Sequence, residues 1–196
     1  MDKKEQIIKS ALNLFCVKGF TETDIDSVAK RAGVGKGTVY LYFKDKKDLF
    51  ISSTTFALTY FNNEIEKKVK EGKTSKEKLK IYIDYSFSIL TINKAITRLF
   101  ITEIIETIRK CGEKKALFSR SIFMKRFKIL TEIIKKGIES KEFKKVDVEY
   151  TGMMIMGGIH ILMTKYLIIL NNEKVNKKEL IKYRNNVLEI INKEKK

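Results

Sequence analysis

The side chains best suited to polar chemistry in this chain lie together on one short stretch. Lys36 can reach a guanine edge or a phosphate, and Thr38 offers a hydroxyl and a methyl group for either kind of contact. Gly37 would allow a close approach of the backbone, while Tyr40 and Tyr42 carry hydroxyls that can reach phosphates. This combination favours binding to the backbone and the base edges of a nucleic acid.

The positive charge of the chain is concentrated around this stretch. The 196 residues include 41 Lys and Arg against 24 Asp and Glu, a net charge of +17, which indicates an anionic partner such as a nucleic acid or a membrane surface. Only six of the basic residues are Arg, so part of this excess can reflect a lysine-rich composition. Residues 30–47 carry six basic and one acidic side chain, whereas residues 1–29 carry four basic and five acidic ones. The local excess is therefore the better guide to the anionic partner.

The helices that must position these side chains begin and end on local signals. A long first helix is predicted over about residues 3–18, where apolar side chains recur with helical spacing. Gly19 can end it in a left-handed conformation, and Phe20 can fold back onto its last turn. A second helix begins with Thr23 as its N-cap and Asp26 three residues later, a short version of the capping box.

A glycine turn and a third short helix complete a helix-turn-helix motif. Gly33 ends the second helix after about nine residues, and the third helix covers about residues 36–43. Val34, Val39 and Phe43 are expected to hold it against the first helix. In this motif the helix after the turn enters the major groove, because the groove admits an α-helix. The sequence GVGKGT is not a Walker A loop, since neither the required spacing nor a preceding strand is present.

The rest of the chain is predicted to be helical as well. It contains no proline and ten glycines, with long stretches of Ile, Leu, Lys and Glu, which is typical of an all-α protein. A fourth helix is predicted from Asp45 to near Gly72. Further helices are expected at about residues 75–92, 93–111, 118–139, 146–170 and 176–192. The prediction is thus an all-α chain of about nine helices.

A dense set of short motifs marks the first fifty residues. They are Gly19-Phe20, Thr23-Asp24-Ile25, Val28-Ala29, Ala32-Gly33-Val34, Gly37-Thr38-Val39-Tyr40, Tyr42-Phe43, and Lys46 followed by Leu49. Together they resemble the N-terminal domain of the TetR family of regulators, over about residues 5–50 without a gap. The remaining 146 residues match the family only in length and helical order. The resemblance implies a helix-turn-helix DNA-binding domain over residues 1–47 and a larger helical ligand-binding and dimerisation domain over residues 48–196.

The resemblance also implies which side chains contact DNA. The expected residues are Thr23, Lys36, Gly37, Thr38, Tyr40, Tyr42 and Lys46. Thr23 would contact a phosphate from the start of the second helix, and Lys46 would hold one at the N-terminus of the fourth, where the helix dipole favours anions. Lys36, Gly37, Thr38 and Tyr40 would face base edges and backbone, and Tyr42 the backbone. Two positions depart from the family: Gly35 replaces a common capping Ser or Thr, and Leu41 could meet only a thymine methyl.

Members of this family are homodimers whose last two helices pair across a two-fold axis. Residues 146–192 are therefore expected to form the subunit interface, where Gly152, Gly157 and Gly158 would allow close helix approach. The last helix offers an apolar face formed by Leu180, Ile181, Val187, Leu188 and Ile191. Such a face is hard to cover within a small monomer. The alternative is that both helices merely close the core of one subunit.

An effector pocket is expected among the middle helices, because ligand sites are usually apolar with a few polar groups. The predicted contacts are Phe56, Tyr60, Phe87, Phe100, Phe123, Phe127, Met156 and His160. His160, the only histidine, is either a satisfied buried residue or a polar anchor for a ligand. Glu103 and Glu106 could bind a cation, but Glu106 shares a polar face with Arg98 and Thr102 and is interpreted as solvated.

Other classes of function are disfavoured. One histidine, no metal-ligand cluster and no nucleophile motif leave little for catalysis, so no enzyme, metal or other cofactor is predicted. Cys16 and Cys111 are too few for a disulfide framework and favour a reducing cytoplasm. Residues 150–170 are apolar enough to suggest a membrane span, but their three glycines and His160 favour a buried helix. A nonspecific or membrane-surface binder driven by charge alone stays open as an alternative.

The leading hypothesis is a ligand-responsive transcriptional regulator, which in this family is more often a repressor than an activator. The dimer would place two recognition helices in successive major grooves of a palindromic operator. A small, largely apolar effector that prefers one conformation would shift the affinity for DNA and release the operator.

Overall fold

The computed structural model of the chain describes residues 2–92, 112–170 and 176–192. These residues form eight α-helices: α1 (Lys3–Glu22), α2 (Ile25–Ala32), α3 (Lys36–Tyr42), α4 (Lys46–Lys70), α5 (Ser75–Ile92), α6 (Gly112–Glu139), α7 (Val148–Thr164) and α8 (Lys177–Ile191). A short π-helical turn, Lys165–Ile169, directly follows α7. The predicted all-α fold with an N-terminal helix-turn-helix motif is confirmed. The helix predicted over residues 93–111 lies outside the described residues.

The described residues divide into two compact units. One contains residues 2–60 and 112–119, and the other contains residues 61–92, 120–170 and 176–192. In the first unit α1 packs against α2 and α2 packs against α3, around a core to which the start of α4 also contributes. In the second unit α5 packs against α7 and α8. The helix-turn-helix motif therefore lies wholly within the first unit.

The end of α1 is shaped by Gly19. Its backbone angles, φ 80° and ψ 175°, interrupt the helix, which continues beyond the kink to Glu22. The positive φ, which favours glycine, confirms that this residue breaks the first helix, although its ψ is extended rather than left-handed helical. Phe20 folds back as predicted, with its ring centre 6.1 Å from that of Phe15 and 5.1 Å from that of Phe50. This aromatic cluster joins the end of α1 to α4.

The start of α2 differs from the prediction. The N-cap is Asp24, whose Oδ1 accepts a hydrogen bond from the Ser27 amide at 2.7 Å and whose Oδ2 accepts one from the Ser27 hydroxyl at 2.8 Å. Thr23 is instead buried, and its hydroxyl donates to the Gly19 carbonyl at 2.7 Å. The prediction of Thr23 as N-cap is wrong because the kinked end of α1 takes its hydroxyl. Asp24, one residue later, is an equally good capping type.

The turn between α2 and α3 is built on Gly33, as predicted. This residue adopts a left-handed conformation, with φ 64° and ψ 34°. Its amide donates to the Lys30 carbonyl at 3.2 Å, and the Val34 amide donates to the Ala29 carbonyl at 3.0 Å. These two bonds form a Schellman motif, which satisfies carbonyls that the helix end leaves without partners. Glycine adopts this conformation without the strain that a Cβ would cause.

Two of the three glycines of α7 are used inside the subunit. A Cβ at Gly152 would lie 3.0 Å from the Phe127 ring, and one at Gly158 would lie 2.5 Å from the Tyr183 hydroxyl. Both glycines therefore permit close packing of α7 against its own unit, which corrects the prediction that they serve an approach between subunits. Around Gly157, by contrast, nothing lies within 4 Å of an added Cβ.

The apolar face predicted on the last helix is mostly covered by its own unit. The buried members are Val187, Leu188 and Ile191. The expectation that these three residues form the subunit interface is therefore wrong, because they are already buried within their own subunit, where α8 packs against α5. An ion pair adds to this packing: the Arg184 guanidinium donates to both carboxylate oxygens of Asp84, at 2.9 and 2.7 Å. Ile181 stays exposed.

The apolar stretch over residues 150–170 is divided between α7 and the π-helical turn. The buried residues of α7 are Gly152, Ile155, Met156, Ile159 and Met163, so much of its apolar character serves the core of the second unit. Within the described ranges, no helix combines the length and the apolarity that crossing a membrane requires.

Candidate functional site

Helix α3 presents an uncovered surface. Val39 and Phe43 are buried in the core of the first unit, as predicted, and they hold the helix in place. Thr38 is half-buried, and the exposed side of the helix consists of Lys36, Gly37, Tyr40, Leu41 and Tyr42. Leu41 is 83% exposed, so its side chain has no role in packing. The exposed Leu41 side chain lies on the same helix as the Lys36 ammonium group and the tyrosine hydroxyls. Such an apolar group is suited to contact with a thymine methyl.

The ammonium group of Lys36 is paired within the protein. Its Nζ lies 2.8 Å from Oδ2 of Asp26 on α2, and both side chains are more than half exposed. The hydrogen bond to Asp26 and its negative charge raise the pKa of Lys36. Exposed ion pairs are weak because water screens them, so a DNA phosphate can displace the carboxylate. The sequence analysis assigned Asp26 only to the start of α2 and missed its pairing with Lys36, because only the packing of α2 against α3 brings these two residues together.

Lys46, the first residue of α4, contacts the end of α1. Its Nζ donates to the Thr21 carbonyl at 3.1 Å and lies 4.7 Å from the centre of the Phe20 ring. The N-terminus of α4 already holds a carboxylate, since Oδ1 of Asp45 accepts from the Asp48 amide at 2.7 Å. A phosphate contact at this position would therefore depend on the ammonium group of Lys46 rather than on the helix dipole.

Thr23 offers no side-chain group to a phosphate. It is only 1% exposed, and its hydroxyl is taken by the Gly19 carbonyl. The interface proposed below therefore omits Thr23.

The described ligand candidates fall in both units. Phe56 is half-buried and Tyr60 is exposed, and both belong to the first unit. Phe87 and Met156 are buried in the core of the second unit. Phe100 lies outside the described residues. Burial in a core is the ordinary role of an aromatic or methionine side chain, so neither Phe87 nor Met156 is distinguished as a ligand contact by its position.

The remaining candidates, Phe123, Phe127 and His160, lie at the surface of the second unit. The Phe123 ring is 48% exposed and its centre lies 6.3 Å from that of His160, which is exposed too. Phe127 lines a groove of about 600 Å³ between α6 and α7. Desolvation by its surroundings lowers the pKa of His160, and the positive charge of Arg126 lowers it further. His160 is thus a neutral, accessible ring at pH 7 rather than a fully buried one.

Two family profiles together match most of the chain. Residues 7–52 match the bacterial regulatory proteins of the tetR family, and residues 56–193 match the C-terminal region of YsiA-like proteins. The first match includes α2, α3 and the turn at Gly33, which are the parts that display the polar surface described above. The second match includes α5, α6, α7 and α8.

The chain is also similar to individual proteins along nearly its whole length. The fatty acid metabolism regulator protein of Bacillus subtilis is 32% identical over 190 residues, which are 96% of this chain and 93% of that protein. The crystal structure of the transcriptional regulator FadR from Bacillus subtilis in complex with stearoyl-CoA matches with a TM-score of 0.75 at 30% identity, covering 95% of this chain and 96% of the other. The fatty acid degradation regulator FadR from Bacillus halodurans matches with a TM-score of 0.77 at 24% identity, covering 94% and 97%.

Proposed function

The chain belongs to the TetR family of bacterial regulators, and from this premise we propose that it is a dimeric repressor released from its operator by a long-chain acyl effector. It is a DNA-binding transcriptional regulator with a helix-turn-helix domain. The observation that carries the proposal is the whole-length similarity to a fatty acid metabolism regulator, combined with an exposed helix α3. The relatives named above are regulators, and no catalytic role is proposed.

In the proposed complex, α3 of each subunit lies in the major groove of operator DNA. The contacts would come from Lys36, Gly37, Thr38, Tyr40, Tyr42 and Lys46. This assignment is supported by the exposure of most of these residues, while Val39 and Phe43 anchor the same helix to the core. We assign residues 1–47 to DNA binding and residues 48–196 to effector binding and dimerisation.

The proposed subunit interface lies within residues 146–192, on the part of α7 that its own unit leaves uncovered. Tyr150, Met154 and Ile161 are each at least 70% exposed, and with Gly157 they recur at intervals of four, three and four residues. This spacing places them on one face of the helix. Exposed apolar stripes of this kind usually mark contacts with another protein, and a two-fold axis would pair the stripe with its own copy.

Charging this stripe is expected to separate the subunits. The double variant Met154→Lys, Ile161→Lys would bury four unpaired ammonium groups in a two-fold interface, which is strongly unfavourable. Sedimentation velocity at micromolar concentration should show a dimer for the original chain and a monomer for this variant. The matched control is Val17→Lys, the same change at an exposed apolar residue of α1, which should remain dimeric. A monomeric original chain, or a dimeric double variant, would contradict the proposed interface.

The effector class is inferred from similarity and from composition. A protein 30% identical over 95% of this chain was crystallised with stearoyl-CoA, and the second unit displays aromatic side chains such as Phe123 and Phe127. The proposed ligand contacts in the second unit are Phe87, Phe123, Phe127, Met156 and His160. Phe56 and Tyr60 of the first unit, and Phe100 outside the described residues, stay candidates from the sequence.

The experiment that tests the function uses an operator selected by the protein itself from a random DNA library. The selected duplex should be preferred over random DNA by orders of magnitude at one salt concentration. Titrating stearoyl-CoA into the complex should release the DNA in a mobility-shift assay, whereas CoA alone should not. Equal affinity for random DNA would favour a nonspecific binder, and persistence of the complex at saturating acyl-CoA would exclude this effector class.

A further inference from the structure

Arg126 on α6 is a half-buried cation whose Nε makes no hydrogen bond. In the described part of the chain, its Nε is the one buried side-chain nitrogen or oxygen that makes no hydrogen bond, and no carboxylate pairs with its guanidinium. Its side chain also hydrogen-bonds the buried Tyr82 hydroxyl, and its guanidinium carbon lies 5.3 Å from the centre of the Phe61 ring. A buried polar atom that makes no hydrogen bond is costly, and each case in a folded protein requires an explanation.

A second arginine of the same unit, Arg184, does have a carboxylate partner. Arg184 is only 15% exposed at its side chain, and its guanidinium donates to both carboxylate oxygens of Asp84. Both bonds come from Nη1, and the carboxylate of Asp84 balances the charge of the guanidinium. No carboxylate in the described ranges pairs with Arg126 in this way, so an anion supplied from outside the protein could take that place.

The surroundings of Arg126 combine aromatic rings with one more polar group. Phe61 stacks on Tyr85, with 5.4 Å between ring centres. His160 is close enough for the charge of Arg126 to lower its pKa, and its ring lies next to the exposed ring of Phe123. The cluster therefore offers one positive charge, one neutral imidazole and several apolar faces, which suits a molecule with an anionic group and an apolar body.

We infer that Arg126 is the anchor for an anionic oxygen group of the effector, held beside His160 and the rings of Phe61 and Phe123. This inference rests on the proposed function for the identity of the apolar body. The guanidinium would donate two parallel hydrogen bonds to a carboxylate or a phosphate, which share this chemistry. A fatty acid would supply the carboxylate, and a CoA thioester would supply phosphates.

The test compares the full-length chain with its Arg126→Met variant, which keeps the apolar stem and removes the charge. Four probes are titrated by calorimetry below the concentration at which micelles form: dodecanoate, dodecanoyl-CoA, CoA and dodecanol. The variant should bind the anionic acyl probe that the original chain prefers about 10- to 100-fold more weakly, as expected for the loss of a charge-assisted pair. Dodecanol, which has no anion, should bind both proteins equally. A preference for dodecanoate indicates the carboxylate, and a preference for dodecanoyl-CoA indicates the phosphates.

A second measurement separates this inference from a merely structural role and from the effector proposal. Without any effector, Arg126→Met should melt at the same temperature as the original chain or higher, because an unpaired charge has been removed. Arg184→Met, which breaks the pair with Asp84, should melt lower. Inorganic phosphate should raise the melting temperature of the original chain more than that of Arg126→Met.

The outcomes are distinguishable. If acyl probes release the operator from both proteins equally, Arg126 is not the anchor and the proposed effector class stands. If no acyl probe binds but the phosphate difference persists, the anion site stands and the acyl effector is wrong. A loss of melting temperature in Arg126→Met, with no difference in phosphate response, would overturn the inference.

Discussion

Replacing Lys36 with methionine is expected to weaken operator binding by about 100-fold at moderate salt, because one charged contact is lost in each of two subunits. Lys36 is exposed on α3, and its ammonium group is paired only with the exposed carboxylate of Asp26. The logarithmic slope of affinity against salt should fall by about 2, since each lost phosphate contact contributes about 0.9. Fluorescence anisotropy with a labelled operator at several salt concentrations measures both quantities.

Two companion variants make this result specific. Lys67→Met removes the same charge from an exposed position in the second unit and should leave the affinity nearly unchanged. Asp26→Asn removes the internal partner of Lys36 and should strengthen binding by a few-fold, because no carboxylate then competes with the phosphate. If Lys67→Met weakens binding as much as Lys36→Met, the effect is one of net charge and α3 has been assigned wrongly.

Replacing Phe50 with alanine is expected to lower the free energy of unfolding by about 4 kcal/mol, the usual cost of removing a buried aromatic ring. Phe50 is 2% exposed, and its ring centre lies 5.0 Å from that of Phe15 and 5.1 Å from that of Phe20. The variant would therefore lose the free energy gained by burying the Phe50 ring, together with two edge-on aromatic contacts. Because Phe20 closes the kinked end of α1, the helix-turn-helix motif would lose its support from α4.

This effect is measured by urea titration at a fixed protein concentration, since dimerisation contributes to the apparent stability. Operator binding should fall in parallel, because α3 is held by the same core. Val17→Ala, a change of an exposed residue in the same unit, should alter the free energy of unfolding by less than about 0.5 kcal/mol. An equally small effect of Phe50→Ala would mean that the aromatic cluster does not stabilise the motif.

Local signals in the sequence are enough to predict the helices and the turn of the motif. Gly33 is expected in the turn because glycine ends the second helix after about nine residues. Val39 and Phe43 are expected in the core because they are apolar residues of the third helix that can face the first. Such signals act between residues a few positions apart, so they are readable without knowledge of the rest of the fold.

The partner of each polar or small side chain depends on how the helices pack. Thr23 and Asp24 are both good capping residues, and the kink at Gly19 determined which of them caps α2. Gly152 and Gly158 were correctly associated with close packing, but their neighbours proved to be Phe127 and Tyr183 of the same chain.

The partners of charged side chains also depend on how the helices pack. Nothing in the sequence distinguishes Arg126 from Arg184, yet Nε of Arg126 makes no hydrogen bond, whereas Arg184 is paired with Asp84, 100 residues away. Lys36 likewise meets Asp26 only through the packing of α2 against α3. Pairing of this kind depends on distances between helices, which hydrophobic packing sets and local propensity does not encode. The sequence therefore indicates which helices form the motif, and the packing of the helices decides which charges meet a partner.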